Sequence, residues 1–268
     1  MHLTKHHGLG NDFLVTFVDE LPSDASARAI ALCDRRTGIG ADGLIYGIDN
    51  GSTLIMRLFN SDGSPAEISG NGMRCFLHAT AMRRSVQSLE IDVDTLAGLR
   101  QCSYTAGDEP TTGWASVDMG PVTSGDDPDR SDFLALNGVV ANRWETGAVG
   151  NPHVVLDVDA PEAFDLADVG PRIEQHFPHG VNMHAVKVVA PDTLSLVVWE
   201  RGAGITQACG SGATVAAQRF HEWGAVGERV TVEMPGGSAI VDVATLDRDS
   251  AILSGPTTYV GSIEVPGG

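Results

Sequence analysis

Gly10-Asn11-Asp12-Phe13-Leu14-Val15 and Gly150-Asn151-Pro152-His153-Val154-Val155 are two versions of one phrase, 140 residues apart. Three more pairs share that offset and order. Gly40-Ala41-Asp42 meets Gly180-Val181-Asn182, and Thr53-Leu54 meets Thr193-Leu194. Ser69-Gly70-Asn71-Gly72 meets Cys209-Gly210-Ser211-Gly212. One constant offset over four segments argues for a duplicated unit. The halves are expected at 1–115 and 116–257, with 258–268 returning to the first half as an extra strand.

Local pattern agrees with the repeat. Leu54 to Phe59, Leu194 to Trp199, Val154 to Val158 and Ala185 to Val189 are short, apolar or β-branched, and predict strands. Each Gly-rich turn is followed by a helical stretch, Gly72 to Arg84 and Gly212 to Trp223. Ala25 to Leu32 predicts a third helix, and the Gly/Pro/Asp-rich run Asp118 to Asp132 a linker. The expected class is α+β: two pseudo-symmetric halves, each a curved sheet around a central helix, with the active site in the cleft between them.

Composition narrows the function. The chain has 268 residues, 42% of them hydrophobic, enough for a sizeable core. It carries 35 acidic and 17 basic residues, a formal net charge of −18. That field repels phosphate backbones and anionic lipid surfaces, which argues against nucleic acid and membrane partners. No apolar run reaches the ~18 residues of a membrane span. The first fifteen residues lack the apolar core of a signal peptide, which points to the cytoplasm. The four cysteines, Cys33, Cys75, Cys102 and Cys209, form no C-x-x-C pair, so a zinc or thioredoxin-type motif is not expected.

One motif is a decoy. Gly38-Ile39-Gly40-Ala41-Asp42-Gly43 fits G-x-G-x-x-G, but a predicted helix precedes it and the strand-like run Leu44 to Ile48 follows. A dinucleotide fingerprint needs the reverse order. The informative pair is Ser69 and Cys209, each opening a helix that begins Gly-x-Gly. First-turn N–H groups of a helix are unpaired and favour an anion. The same helix end is expected to lower a thiol pKa. If the halves face each other, a substrate carboxylate would sit between two such ends, and residues 69 and 209 would flank its α-carbon. That is the arrangement of a two-base racemase: one group removes the α-proton and the other delivers a proton to the opposite face. The backbone N–H groups would hold the developing enediolate charge, so neither metal nor organic cofactor is needed. The competing reading of Cys209 is a small buried hydrophobe.

At these residues the chain resembles the diaminopimelate epimerase family along nearly its whole length. The resemblance rests on nine ordered segments. They include His7-Gly8-Leu9-Gly10-Asn11-Asp12-Phe13, Gly38 to Gly43, Phe59-Asn60-Ser61-Asp62-Gly63-Ser64 and Gly70-Asn71-Gly72-Met73-Arg74-Cys75. Gly150-Asn151-Pro152-His153, Gly180-Val181-Asn182 and Glu200-Arg201-Gly202-Ala203-Gly204 follow, then Ala208-Cys209-Gly210-Ser211-Gly212 and Pro235-Gly236-Gly237. The resemblance implies two α/β halves and cofactor-independent inversion of LL-2,6-diaminopimelate to the meso form by two cysteines, in lysine and cell-wall precursor synthesis. By motif, Cys209 matches the second cysteine, while the first position holds Ser69. Cys75, nearly two turns into the helix, is read as core. A hydroxyl needs a neighbouring base, and His153 and Glu200 match positions near the two cysteines. Asn11, Asn60, Asn151, Asn182 and Arg201 match substrate contacts, with Gly70, Asn71, Gly210 and Ser211 at the helix ends. Arg201 suits a distal carboxylate through its planar fork.

Two departures leave alternatives open. Ser69 in place of cysteine also fits a racemase for another amino acid, or a lyase that dehydrates a hydroxylated amino acid with Cys209 as base. Ile205 stands where the family usually has a glutamate. The implied partner is a small amino-acid substrate; a homodimer is compatible with the sequence, which does not specify one.

Overall fold

The computed structural model describes residues 1–266, so the last two residues of the expected 258–268 strand lie outside it. The chain divides into two compact units, Met1–Asp118 together with the chain from Ser254 onward, and Met119–Leu253.

In the first unit the elements run β1 (His2–Gly8), β2 (Asn11–Phe17), α1 (Ala25–Cys33), β3 (Gly43–Asp49), β4 (Thr53–Asn60), β5 (Pro65–Ala66), α2 (Gly70–Arg84), β6 (Ser88–Thr95), β7 (Gly98–Ala106) and β8 (Thr112–Gly120). The second unit has a short helix α3 (Phe133–Leu136), β9 (Arg143–Val149), β10 (Asn151–Asp157), a 3-10 turn (Pro161–Ala163), α4 (Leu166–Glu174), β11 (Asn182–Ala190) and β12 (Thr193–Glu200). It continues with β13 (Gly204–Ile205), α5 (Gly210–Glu222), β14 (Arg229–Met234) and β15 (Gly237–Asp242). Strand β16 (Ala251–Glu264) then carries the chain back to the first unit.

The first unit's strands follow the order β1-β2-β3-β4-β6-β7-β8-β16, and β16 pairs antiparallel with β1, closing a barrel. Closure leaves no free sheet edge. The second unit's order is β9-β10-β11-β12-β14-β15, with β13 on β12. The pairings repeat. Strands β2 and β3 are parallel, as are β10 and β11; β4 and β6 are parallel, as are β12 and β14. The protein is thus a sheet-rich α+β fold with the same element order twice.

Sequence dictates these elements directly. Leu54, Met56 and Leu58 alternate inward on β4, as Leu194, Leu196 and Val198 do on β12. Period two is what a half-buried strand requires. The central helices differ from amphipathic surface helices. Every residue of α2 from Gly70 to Ala81 is buried, and every residue of α5 from Gly210 to Phe220. A helix buried on all sides belongs to a core. Both begin Gly-x-Gly, and at the second glycine of α5 the reason is room. A Cβ on Gly212 would stand 2.0 Å from the His184 ring. The β1–β2 hairpin turns through Leu9 and Gly10, both at positive φ, as a tight two-residue turn needs.

Candidate active site

In the second unit Cys209 is the N-cap residue of α5, with extended backbone and a 3% exposed side chain. Its Sγ lies 3.6 Å from the Ser211 hydroxyl. Burial pushes the thiol well above its ordinary range, and the Glu200 carboxylate adds to that. The Gly212 N–H and the Ser211 hydroxyl act in the opposite direction. Glu200 ends β12, where Thr206 donates a short hydrogen bond to its Oε1. The cysteine of the free protein is therefore a thiol, not a thiolate, with a carboxylate beside it that disfavours the thiolate.

Behind the cysteine lies a buried pair of imidazoles. Parallel pairing of β10 with β11 sets His153 opposite Asn182, two residues before His184. His153 Nδ1 and His184 Nε2 are 2.8 Å apart, and His153 Nε2 is 2.9 Å from Asn151 Oδ1. Burial lowers both imidazoles, His184 to about 3 and His153 well below 6.5, where His184 and Arg201 contribute further. Both rings are neutral at pH 7. His153, His184 and Cys209 bring potential metal-ligand atoms within 4.8 Å of one another. Two imidazole nitrogens on one tetrahedral zinc stand about 3.3 Å apart, given Zn–N bonds of about 2.0–2.1 Å. The 2.8 Å contact is instead a hydrogen bond.

Asn182 is buried and fully engaged. Its Nδ2 donates to Pro152 O at 2.9 Å, and its Oδ1 accepts the Arg201 N–H at 3.0 Å. Arg201 is exposed, and its Nη1 donates to His179 O at 2.7 Å. An amide thus anchors the backbone from which an exposed guanidinium projects.

In the first unit Ser69 is the N-cap of α2, and its Oγ accepts the Gly72 N–H at 3.1 Å. A polar chain runs behind this cap. Arg74 Nη2 donates to Asn71 Oδ1 at 2.7 Å, Asn71 Nδ2 to Asn11 Oδ1 at 3.1 Å, and Asn11 Nδ2 to Asp42 Oδ2 at 2.7 Å. Arg74 is fully buried with no carboxylate partner among the described residues, and burial lowers its guanidinium to about 10. Asn60 is exposed at the end of β4, its Nδ2 donating to Ser64 Oγ at 3.0 Å.

Two equivalent helices, each buried from its first turn, thus begin at Ser69 in one unit and at Cys209 in the other. The diaminopimelate epimerase profile matches residues 3–124 and 146–260. The chain belongs to the diaminopimelate epimerase family. A diaminopimelate epimerase of Nostoc punctiforme is 36% identical over 281 residues, covering 97% of this chain and 98% of the relative. One of Desulforudis audaxviator is 38% identical over 275 residues, covering 97% of each. Among solved structures, a predicted epimerase from Pseudomonas aeruginosa superposes with a TM-score of 0.78 at 15% identity, covering 100% and 99% of the two chains. A probable proline racemase from Agrobacterium radiobacter gives 0.71 at 14%, covering 100% and 93%. At such identities the likeness shows the fold alone.

Membership in the diaminopimelate epimerase family makes the chain an isomerase. Set against the residues read from sequence, the geometry corrects one expectation. The helix end pulls the Cys209 thiol down through the Gly212 N–H, but burial and Glu200 outweigh it and the thiol is raised. Further, His153 was read as a base for Ser69, yet both its ring nitrogens are taken by His184 and Asn151. Cys75 is completely buried, with its thiol pushed up to about 12 by burial. Ile205 is exposed on β13, paired with Trp199. Three participants went unassigned in the sequence: His184, Arg74 and Asp42. Arg74 and Asp42 lie inside quoted motifs, so the family pattern could have found them. His184 lies two residues past one, and only the parallel strand pairing brings it to His153.

Proposed function

We propose that this chain epimerises LL-2,6-diaminopimelate to the meso isomer by cofactor-independent two-base proton transfer. The observation that carries the reading is the equivalence of Ser69 and Cys209, N-caps of the buried central helices of their own units, 140 positions apart.

In this reading Gly70 and Asn71 at one helix end, with Gly210 and Ser211 at the other, offer backbone N–H groups to the reacting carboxylate. Glu200 relays the proton of the Cys209 thiol to solvent, and the thiolate removes the α-hydrogen. The N–H groups hold the charge that moves onto the carboxylate. Ser69 serves the opposite face as proton donor. Its oxygen already accepts the Gly72 N–H, and a hydrogen bond to oxygen favours the alkoxide left behind. Solvent then returns the proton to Ser69. Arg201 receives the distal carboxylate, with Asn11, Asn60, Asn151 and Asn182 shaping the distal subsite. His153 acts through Asn151 and not as a base.

Incubation with LL-diaminopimelate in D₂O tests this directly. Meso product carrying α-deuterium is expected. Exchange without inversion would reduce the site to one working face, and neither would overturn the substrate.

A further inference from the structure

His184 packs its ring against Gly212, where a Cβ would stand 2.0 Å from the Cε1 atom. The His184 Nδ1 is buried and has no hydrogen-bond partner among the described residues. A proton there would be a buried donor with no acceptor, whereas one on Nε2 has the His153 ring nitrogen to receive it. The single ring proton therefore belongs on Nε2, which donates to His153 Nδ1 at 2.8 Å. His153 must then carry its own proton on Nε2, which donates to Asn151 Oδ1 at 2.9 Å. The oxygen of the Asn151 amide is thus turned inward, and its Nδ2 is left to donate.

We infer that His184 is a positioning residue: through His153 it fixes the Asn151 carboxamide so that this residue presents only N–H groups to the substrate. The Asn151 Nδ2 then donates to a carboxylate or carbonyl oxygen and offers nothing to an ammonium group. The inference rests on reading Asn151 as a substrate contact, and it deepens the assignment above by stating which end of an amino acid that contact selects.

Ring-proton positions test it without turnover. In the full-length protein labelled with ¹⁵N-histidine, two-bond ¹H–¹⁵N correlations distinguish the two tautomers, with His184→Gln and His153→Asn assigning the signals. Both rings are expected to carry the proton on Nε2; a proton on Nδ1 of either overturns the inference. Kinetics add a second readout. His184→Gln keeps a donor near the Nε2 position and should hold KM for LL-diaminopimelate within about 3-fold, whereas His184→Leu should raise KM about tenfold with kcat little changed, the effect of one hydrogen bond in uniform binding. An equal rise in both variants overturns it. If the leucine variant fails to fold, His184→Asn, which offers nitrogen only at the Nδ1 position, takes its place with the same expectation. A wild type that leaves diaminopimelate untouched overturns the reaction, and the ring-proton pattern still decides the inference.

Discussion

Ser69 Oγ accepts the Gly72 N–H at 3.1 Å, so the hydroxyl oxygen is anchored to the helix while its proton is free to be given. Ser69→Ala should therefore show two separable losses. Losing the cap should cost about 1 kcal/mol of stability, read by urea unfolding. Inversion in D₂O should stop while exchange on the Cys209 face persists. Ser69→Cys should raise kcat about tenfold or more, since a thiol returns to its working form far more readily than a hydroxyl.

The two buried cysteines on the central helices should separate cleanly. Cys209→Ala should lower α-proton exchange by about 10²–10⁴-fold or more in a folded protein. Cys75→Ala should keep exchange and lose about 1–2 kcal/mol to the cavity left in the α2 core. An inactive but stable Cys75→Ala would move the catalytic position away from residue 69.

Because burial and Glu200 raise the Cys209 thiol, its base form appears only as pH increases. The ratio kcat/KM should climb about tenfold per pH unit on the alkaline side. Glu200→Gln removes a negative charge next to the thiol. That limb should move to lower pH in the variant even as kcat falls, and thiolate absorbance in a titration would show the shift independently of activity.

Acid should unfold the protein through histidines before carboxylates. His6 and His184 are lowered to about 3, His78 to about 4 and His153 well below 6.5, all chiefly by burial. Their folded values lie below the unfolded 6.5, so the unfolded state binds more protons as pH falls. Stability is complete above pH 6.5 and declines from there toward the folded values. At pH 5 each neutral histidine loses about 2 kcal/mol, and four of them rival a typical total of about 5–15 kcal/mol. Asp49, held down by Arg84, gives up its contribution only below its ordinary carboxylate range. Urea midpoints measured from pH 7.5 to 5 should fall steeply; a flat series would mean these rings are hydrated.

Much of this architecture is legible from pattern alone. Strands β4 and β12 announce themselves because Leu54, Met56 and Leu58, and Leu194, Leu196 and Val198, alternate without interruption. Helices α2 and α5 begin two residues earlier than their apolar content suggests. Gly70 and Gly210 read as turn residues, whereas in the fold each opens a helix whose first turn is already buried. Ser69 is legible through its offset from Cys209. Arg74 is legible as part of the Gly70-to-Cys75 motif, three residues past its partner Asn71 on one helix. His184 is not, because strand register and not sequence spacing brings it to His153. The thiol chemistry of Cys209 was illegible for a related reason: a helix end is local and visible in sequence, while burial is a property of the whole unit.

All four sulfhydryls lie under cover, and the position that would have offered a fifth, half-exposed one carries a hydroxyl instead. Oxygen dissolved in a buffer meets no cysteine thiol at the surface of this protein. A purified stock should keep its titre of free thiols in air without added reductant, and Ser69→Cys should be the variant that ends that tolerance.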